Sequence, residues 1–266
     1  MITKTICRFT ILILLGAALV VGGPSTGNCG GSTSGKVLHL QEADAKAVSV
    51  LGEGVVGKAL PAAPIADTAR LMPLRCGKWT YRVLAGEHRD THQEDTIGRP
   101  KHKKSGISWR RVDGKKCIYY YRVNRGGSIE LVSEVDLTED VITRYTPAFS
   151  VMFNGMKPEE KKTVETKVRV YDLHDPAFEK YRGHLKVTYT YIGAYEVTVP
   201  AGKFRATLIK SSYKGKVGPA SVTDCGYAFY AEDVGMVAAV ERLHVTAFLF
   251  YDKRTRTPKI LLRKDG

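Results

Sequence analysis

Alternation of apolar and polar residues is the feature that most constrains the fold of this 266-residue chain. Between Lys78 and Val83, apolar residues at 79, 81 and 83 alternate with lysine, threonine and arginine. Later, Val187, Tyr189 and Tyr191 alternate with lysine and threonines. Successive side chains of a strand point to opposite faces, so this period of two predicts strands with one buried face.

Short turn motifs separate the alternating segments. The Asp-Gly pair within Val112–Lys115 tolerates the positive φ that tight hairpins require. Asn124–Gly127 and Pro200–Gly202 are typical of turns as well. About eight strands follow, among them Tyr119–Tyr121 and the long run Gly235–Tyr251. We therefore predict a mainly β fold: a curved antiparallel sheet, as a half-barrel or open barrel, with at most one or two short helices.

The N-terminus has the pattern of a secretory signal peptide. Lys4 and Arg8 precede the apolar run Phe9–Val21. That run is shorter than the roughly 20 residues needed to cross a bilayer. A positive start, a short apolar core and small residues afterwards indicate cleavage and export. We assign residues 1–28 to the signal peptide and expect the protein in the periplasm or cell envelope.

Cys29 is a candidate lipid anchor. It follows the apolar core and precedes a Gly/Ser run at 30–35, as in bacterial lipoproteins. Thr26 and Asn28 depart from the aliphatic and small residues expected before a lipidated cysteine. Ordinary cleavage therefore remains the alternative. Lipidation would hold the protein on a membrane surface, which is the only membrane contact expected.

Composition divides the rest of the chain. Residues 29–72 are rich in glycine and proline and predict a flexible leader or linker, with a short helix within Gln41–Leu51 as the alternative for part of it. Residues 73–252 carry the alternating pattern and predict the antiparallel β domain. Residues 253–266 predict a basic C-terminal tail. Elsewhere the pattern predicts no helix beyond a turn or two near Pro176–Tyr181.

The chain is strongly basic, with a formal net charge of +14 at pH 7. Such charge favours anionic partners, including lipid headgroups and acidic polysaccharide. Export argues against nucleic acid, and a basic surface that serves solubility alone is the alternative. Besides the tail, the basic clusters comprise Lys101, Lys103, Lys104, Arg110, Arg111, Lys115 and Lys116.

The cysteines give one candidate disulfide. If Cys29 is lipidated, Cys76, Cys117 and Cys225 remain in the exported chain, an odd number. Cys76 and Cys117 both flank early predicted strands, so a bond between them is the first candidate. No two cysteines have metal-ligand spacing, and no metal or cofactor is expected.

Two sequence motifs match catalytic or cofactor patterns without the required context. Gly23–Gly27 fits G-x-S-x-G but lies at the signal boundary, without the strand and helix of a nucleophile elbow. Gly52–Gly57 fits G-x-G-x-x-G, but Pro61 stops the helix that should follow. Neither motif supports catalysis or dinucleotide binding.

Two groups of polar residues were considered as chemical sites. His88 and His92 are four residues apart and could share a metal on a helix, but their polar surroundings predict an exposed hairpin tip. Asp172 and Asp175 flank His174 and could form an acid/base group. Aspartates in such a turn more commonly bond the backbone, which is the interpretation we favour.

Several motifs resemble those of uncharacterised exported bacterial β-rich proteins. They occur in the order of that family and cover roughly residues 73–250, with Asp233 replacing a usual glycine: Pro73–Tyr81, Met156–Pro158, Tyr195–Phe204 and Tyr230–Val237. Those proteins are broadly similar to the lipoprotein-carrier (LolA/LolB-like) half-barrel class. The resemblance implies a curved sheet whose concave face can hold acyl chains, and it implies no catalytic residues.

Three functional hypotheses follow. The first is a non-enzymatic cell-envelope protein that binds a hydrophobic or amphipathic ligand, such as a lipid or a lipoprotein acyl chain, in the curved sheet. The second is a structural or protein-interaction module that docks an envelope partner through a basic surface or a strand edge. The third is an exported hydrolase, which requires His88 or His174 in a cleft beside a nucleophile or second acid.

Overall fold

The structure is a computed structural model that describes residues 35–86, 88–100, 106–114, 116–247 and 251–265. The signal peptide and Cys29 lie outside these residues. The fold is mainly β with two short α-helices, as predicted. In chain order the elements are β1 (Lys36–Val37), α1 (Glu42–Val48), a 3-10 turn (Ser49–Leu51), β2 (Val56–Ala62), α2 (Thr68–Leu71), β3 (Gly77–Val83), β4 (His92–Gly98), β5 (Trp109–Asp113), β6 (Cys117–Val123), β7 (Ile129–Asp136), β8 (Val141–Met152), β9 (Lys161–Asp172), β10 (Glu179–Val199), β11 (Gly202–Val217), β12 (Ala220–Ala231), β13 (Gly235–Ala247) and β14 (Tyr251–Asp265).

The sheet closes on itself. Antiparallel neighbours run from β10 through β14, continue from β3 through β9, and β9 pairs again with β10. The result is a barrel of twelve strands rather than a half-barrel. The pairing of β14 with β3, the last and the first strand of the barrel in sequence, closes the ring. Strand β10 spans 21 residues. Its first part pairs with β9, and its second part pairs with β2.

The predicted alternation is visible in the barrel wall. In β9, Thr166, Val168 and Val170 are buried, while the intervening charged residues are exposed. The barrel interior contains large aromatic rings that are at most 7% exposed: Trp79, Tyr81, Tyr119, Tyr121, Tyr145, Tyr189, Tyr191, Tyr213 and Tyr230. Burial of a large apolar side chain contributes roughly 1.5–3 kcal/mol, so these rings are a main source of stability.

Residues 35–72 are part of the folded unit, which corrects the prediction of a flexible leader or linker. Strand β2 hydrogen-bonds to β10, and α1 with its 3-10 turn packs against β13 and β14. Ala47, Val48 and Leu51 are buried there. Gly52 and Gly54 have positive φ and form the turn between the helix and β2. The glycines that suggested flexibility therefore serve a defined turn.

We call residues 35–72 the N-terminal arm. Asp44 binds this arm to the barrel through its side chain. Its side chain is 5% exposed. Its Oδ1 lies 2.7 Å from Nζ of Lys210 and 2.7 Å from the hydroxyl oxygen of Tyr227. Arg256 adds a second attachment, since it donates to the carbonyl oxygen of Ala47. The arm is thus held by hydrogen bonds at the same place where it buries apolar surface.

Replacing Asp44 with alanine is expected to destabilise the protein by about 1–3 kcal/mol, because Lys210 and Tyr227 lose a buried partner. Limited proteolysis should then cut the arm sooner, and thermal unfolding should begin earlier. Glu42→Ala is the matched control, since Glu42 lies exposed on the same helix. Equal effects of the two substitutions would contradict the attachment.

Residues 251–265 form strand β14 between β13 and β3, which corrects the prediction of a basic tail. Lys259, Ile260 and Leu261 are buried within it. The high density of lysine and arginine concealed the strand, because outward cations alternate with residues that pack. Near Pro176–Tyr181 the chain makes a turn and β10 begins, and the second short helix of the structure is α2.

The predicted disulfide between Cys76 and Cys117 is not formed, and both are free thiols. Cys76 directly precedes β3, whereas Cys117 begins β6, three strands away in the sheet. Neighbouring strands lie about 4.8 Å apart, so the two residues are separated by roughly 14 Å. A disulfide needs Cα atoms within about 7 Å of each other.

Among the described residues, no helix combines the length and the apolar character needed to span a membrane.

Candidate functional site

The predicted histidine pair lies at an exposed turn. His88 lies between β3 and β4, and His92 is the first residue of β4. Nε2 of His88 is 3.0 Å from Nζ of Lys116. In the part of the chain that the structure describes, no group of three or more acidic, cysteine or histidine side chains could hold a metal ion. The hairpin-tip interpretation fits this placement.

Asp172 and Asp175 bond the backbone of their own turn. Asp172 accepts hydrogen bonds from the backbone N–H groups of His174 and Asp175, at 2.8 and 3.1 Å. The Lys180 ammonium and these backbone groups lower the pKa of Asp172 to about 2. His174 is largely exposed, with Nε2 3.6 Å from Asp140. His174 and His88 are both exposed and lie in separate turns.

An ionic cluster occupies part of the barrel interior. The guanidinium of Arg111 lies 2.5 Å from Oδ2 of Asp95 and 3.6 Å from Oδ2 of Asp113. All three side chains are at most 5% exposed. Burial, followed by the charge of Asp95, raises the pKa of Asp113 to about 6. Arg111 was assigned to a basic surface cluster from sequence, and the structure corrects this: it neutralises buried acids.

A second interior group contains Glu134, Tyr145 and Cys117. Burial raises the pKa of Glu134 to about 8, although a hydrogen bond with Tyr145 opposes the shift. Burial also raises the pKa of the Cys117 thiol, and Asp136 adds to that effect. Glu134 and Cys117 therefore remain protonated and uncharged near neutral pH, so their burial places no negative charge in the barrel interior. A thiol with a raised pKa is a poor nucleophile.

The outer surface of β8–β11 carries a concentration of positive charge. We call it the basic face and define it by eight side chains whose neighbours in sequence point inward: Arg144, Lys167, Arg169, Arg182, His184, Lys186, Lys214 and Lys216. All eight are exposed. Glu165 and Glu179 are the acids in direct contact with it.

Cations of the basic face are aligned across the strands. Arg144 pairs with Arg169, and Arg169 pairs with Arg182, which places three arginines in one row over β8, β9 and β10. The next row also crosses three strands, with Lys167, His184 and Lys216 as its members. Lys186 and Lys214 form a third pair. Like charges directly opposite each other destabilise a sheet.

Only part of this charge is neutralised within the protein. Lys186 pairs with Glu165 at 2.8 Å, and Arg182 pairs with Glu179 at 2.7 Å. Arg144 lies over the ring of Tyr171, 4.3 Å from its centroid. Lys167, Lys214 and Lys216 have no acidic partner within the described ranges. Seven lysines and arginines thus face two acids, which leaves a local charge of about +5.

A row of hydroxyl side chains borders the basic face. Thr163, Thr188 and Ser212 are cross-strand neighbours on the outer surface of β9, β10 and β11. The hydroxyl oxygens of Thr163 and Thr188 are 3.0 Å apart. The surface therefore presents hydrogen-bonding groups beside the cations.

The basic clusters singled out in the sequence did not include this face. Lys101, Lys103, Lys104 and Lys115 lie outside the described residues, and Arg110 and Lys116 lie on other strands and turns. The signal was nonetheless present, because the polar positions of the alternating segments 161–171 and 182–190 are mostly lysine, arginine or threonine. Register between strands, which sequence does not supply, is needed to see that these positions align.

Comparisons with known proteins give distant structural likenesses. No protein-family model matches the chain, and no curated protein matches it significantly. Three solved structures overlap most of it. A protein from Bacteroides fragilis described as exported, with a YmcC-like fold, is 13% identical and covers 77% of this chain and all of its own, at a TM-score of 0.43.

The other two are described as lipoproteins. One from Parabacteroides distasonis is 11% identical and covers 77% of this chain and all of its own, at a TM-score of 0.35. The lipoprotein YmcC from Escherichia coli is 9% identical and covers 74% of this chain and 92% of its own, at a TM-score of 0.37. Likenesses this distant do not define function, so the proposals below rest on residues of this chain.

Proposed function

We propose that this chain is a non-enzymatic cell-envelope protein that docks an anionic envelope partner through its basic face. The observation that carries the proposal is the alignment of like charges over β8–β11. A sheet could alternate signs at these positions and gain stability from cross-strand ion pairs. Rows of unneutralised cations instead create a positive potential that attracts and orients an anionic surface.

The N-terminal sequence supplies the location. A signal peptide at residues 1–28 would export the chain, and Cys29 is the candidate lipid anchor. A lipidated Cys29 would hold the barrel near a membrane, separated by the short segment that precedes Gly35. The basic face would then act at the membrane surface or in the space beside it.

The alternative, an acyl chain held inside the sheet, has weaker support. It requires a concave apolar cavity. The inward rings of Tyr81, Tyr121 and Tyr189 are at most 4% exposed, so they contact protein atoms instead of lining an open space. Part of the remaining interior is ionic, with Arg111 between two aspartates. An acyl chain would have to displace these contacts.

Charge reversal on the basic face tests the proposal. We expect protein with Cys29→Ala, which removes the candidate lipid anchor, to sediment with isolated bacterial envelopes at low salt and to be released near 0.5 M salt, since salt screens exposed charges. Lys167→Glu combined with Lys216→Glu should reduce the sedimented fraction at least about fivefold. The two substitutions make the charge of the row that contains Lys167, His184 and Lys216 negative.

The matched control is Lys58→Glu combined with Arg125→Glu. Both residues are exposed and lie on β2 and on the β6–β7 turn, away from the basic face, and the change in net charge is the same. Thermal unfolding checks that both double variants fold. Equal release of the two variants, or no loss from the first, would contradict docking through this face.

A further inference from the structure

We infer that the partner of the basic face is an acidic polysaccharide that lies across strands β8–β11. This inference rests on the proposed docking function and adds the chemical class of the partner. Two features of the face carry it: the spacing of its cations and the hydroxyl row beside them.

The spacing suits a linear polyanion. Cations in one row occupy neighbouring strands, which lie about 4.8 Å apart. Arg144, Arg169 and Arg182 therefore form a line of three charges roughly 10 Å long. The row of Lys167, His184 and Lys216 runs beside it, two residues along each strand, at a distance of about 7 Å. A chain with a carboxylate on successive sugars can follow such a line.

The side-chain types suit carboxylates and sugar hydroxyls. Guanidinium groups bind carboxylates through two parallel hydrogen bonds, which favours arginine at sites that recognise a planar acid. Thr163, Thr188 and Ser212 can both donate to and accept from sugar hydroxyls. A partner that offered only charge would form no hydrogen bonds with this row of hydroxyl groups.

The same features argue against a bilayer as the partner. Surfaces that dock on anionic membranes combine cations with apolar side chains that enter the lipid. The large apolar residues that are exposed nearest to the face, Leu137 and Phe178, lie in turns at one end of the barrel. Acidic residues accompany them there, including Asp140 and Asp175, so that end would not attract anionic headgroups.

Nucleic acid is disfavoured for a related reason. Single strands are bound by cations together with aromatic rings on which bases stack. The aromatic ring beside the basic face, that of Tyr171, is covered by Arg144. Protein strands could also carry acids, but the regular cross-strand spacing of the cations fits a repeating polymer better.

Binding of the purified full-length chain to fluorescently labelled polygalacturonate tests this inference. We expect saturable binding at 50 mM salt that neutral dextran does not compete. Lys167→Gln combined with Lys216→Gln should weaken binding about tenfold, and Lys58→Gln combined with Arg125→Gln should change it less than twofold. Thr188→Val, which keeps the shape of the side chain, should weaken binding to polygalacturonate and leave binding to polyphosphate unchanged.

The outcomes separate this inference from the docking function. Tighter binding to phosphatidylglycerol vesicles or to polyphosphate than to polygalacturonate would overturn the polysaccharide and leave the basic face as a docking site. Absence of polygalacturonate binding would do the same if charge reversal still released the protein from envelopes. If the charge-reversed variant stayed bound to envelopes, the docking function itself would fail.

Discussion

Replacing Arg111 with methionine is expected to lower the unfolding temperature by about 10 °C. Arg111, Asp95 and Asp113 are all buried, and the arginine is the nearest cation to both acids. Removing one partner of a buried pair typically costs about 3–5 kcal/mol, since the other charge is left without compensation. In a domain of this size, 1 kcal/mol corresponds to roughly 2–4 °C.

A change at the neighbouring residue provides the control. Arg110 precedes Arg111 on β5 and points to the opposite side of the sheet, so Arg110→Met removes the same charge from a site that is not sealed. We expect a shift of at most about 2 °C there, as for surface substitutions. Differential scanning calorimetry of both variants makes the comparison.

A rescue experiment identifies the cause of the Arg111 effect. If the loss arises from uncompensated acids, Asp95→Asn and Asp113→Asn added to Arg111→Met should recover a substantial part of the stability. If it arises from lost packing of the arginine chain, the additional changes should recover nothing. A single Arg111→Met variant within 1 kcal/mol of wild type would show that the cluster contributes little.

The strand pattern could be predicted from sequence because it is a local property. Trp79, Tyr81 and Val83 are buried as their alternation indicates, and the turns at Asn124–Gly127 and Pro200–Gly202 separate consecutive strands. Alternation and turn residues act over a few positions. The class, mainly β and antiparallel, followed from them.

Closure and the N-terminal arm could not be predicted in this way. Both depend on pairing between distant residues: β14 with β3, β2 with β10, and Asp44 with Lys210 across 166 positions. In β14, the density of lysine and arginine in the sequence predicts a solvated tail. A strand with one exposed face accepts lysine and arginine as readily. The burial of Ile260 and Leu261 favours the strand over a solvated tail.

The candidate site escaped sequence reasoning for the same reason. Each member of the basic face is an ordinary polar position of its own strand. Only the register, which sets Arg144 beside Arg169 and Arg169 beside Arg182, makes them one surface. Conversely, Arg110 and Arg111 look like one basic cluster in sequence but point to opposite faces of β5. Charged residues that are neighbours in sequence on one strand point to opposite faces, whereas residues paired across strands share one face.

Stability should fall as pH rises from about 5 to 9, and Glu134 should account for a large part of the fall. Burial raises the pKa of this carboxyl from 4.5 to about 8 in the folded protein. Between those values the folded state holds a proton that the unfolded state has released. Stability therefore declines with rising pH, because the unfolded state binds fewer protons.

The size of the effect follows from the shift in pKa. Below pH 4.5 the carboxyl is protonated in both states, so it contributes no pH dependence. Above about pH 8 the folded protein must bury the charged form or lose contacts, and the full shift corresponds to roughly 5 kcal/mol at 1.36 kcal/mol per unit. Asp224, whose pKa burial raises to about 8, shifts stability in the same direction.

Glu134→Gln isolates this contribution. Glutamine keeps the size of the side chain and an oxygen that can accept from Tyr145, but it carries no titrating proton. Urea unfolding at pH 5, 7 and 9 should show a variant close to wild type at pH 5, more stable than wild type at pH 9, and with a shallower slope between them. The residual slope should reflect Asp224 and Asp113, which keep their raised pKa values.

Glu130→Gln is the control on the same strand. Glu130 pairs with Arg122 at 2.6 Å near the surface, so its removal should lower stability slightly and leave the slope between pH 5 and 9 in place. A Glu134→Gln variant with the full wild-type slope would mean that this carboxyl titrates in the folded barrel as it does in the unfolded chain. In that case water must reach the barrel interior at Glu134, and the packed interior that argues against an acyl-chain ligand would need to be abandoned.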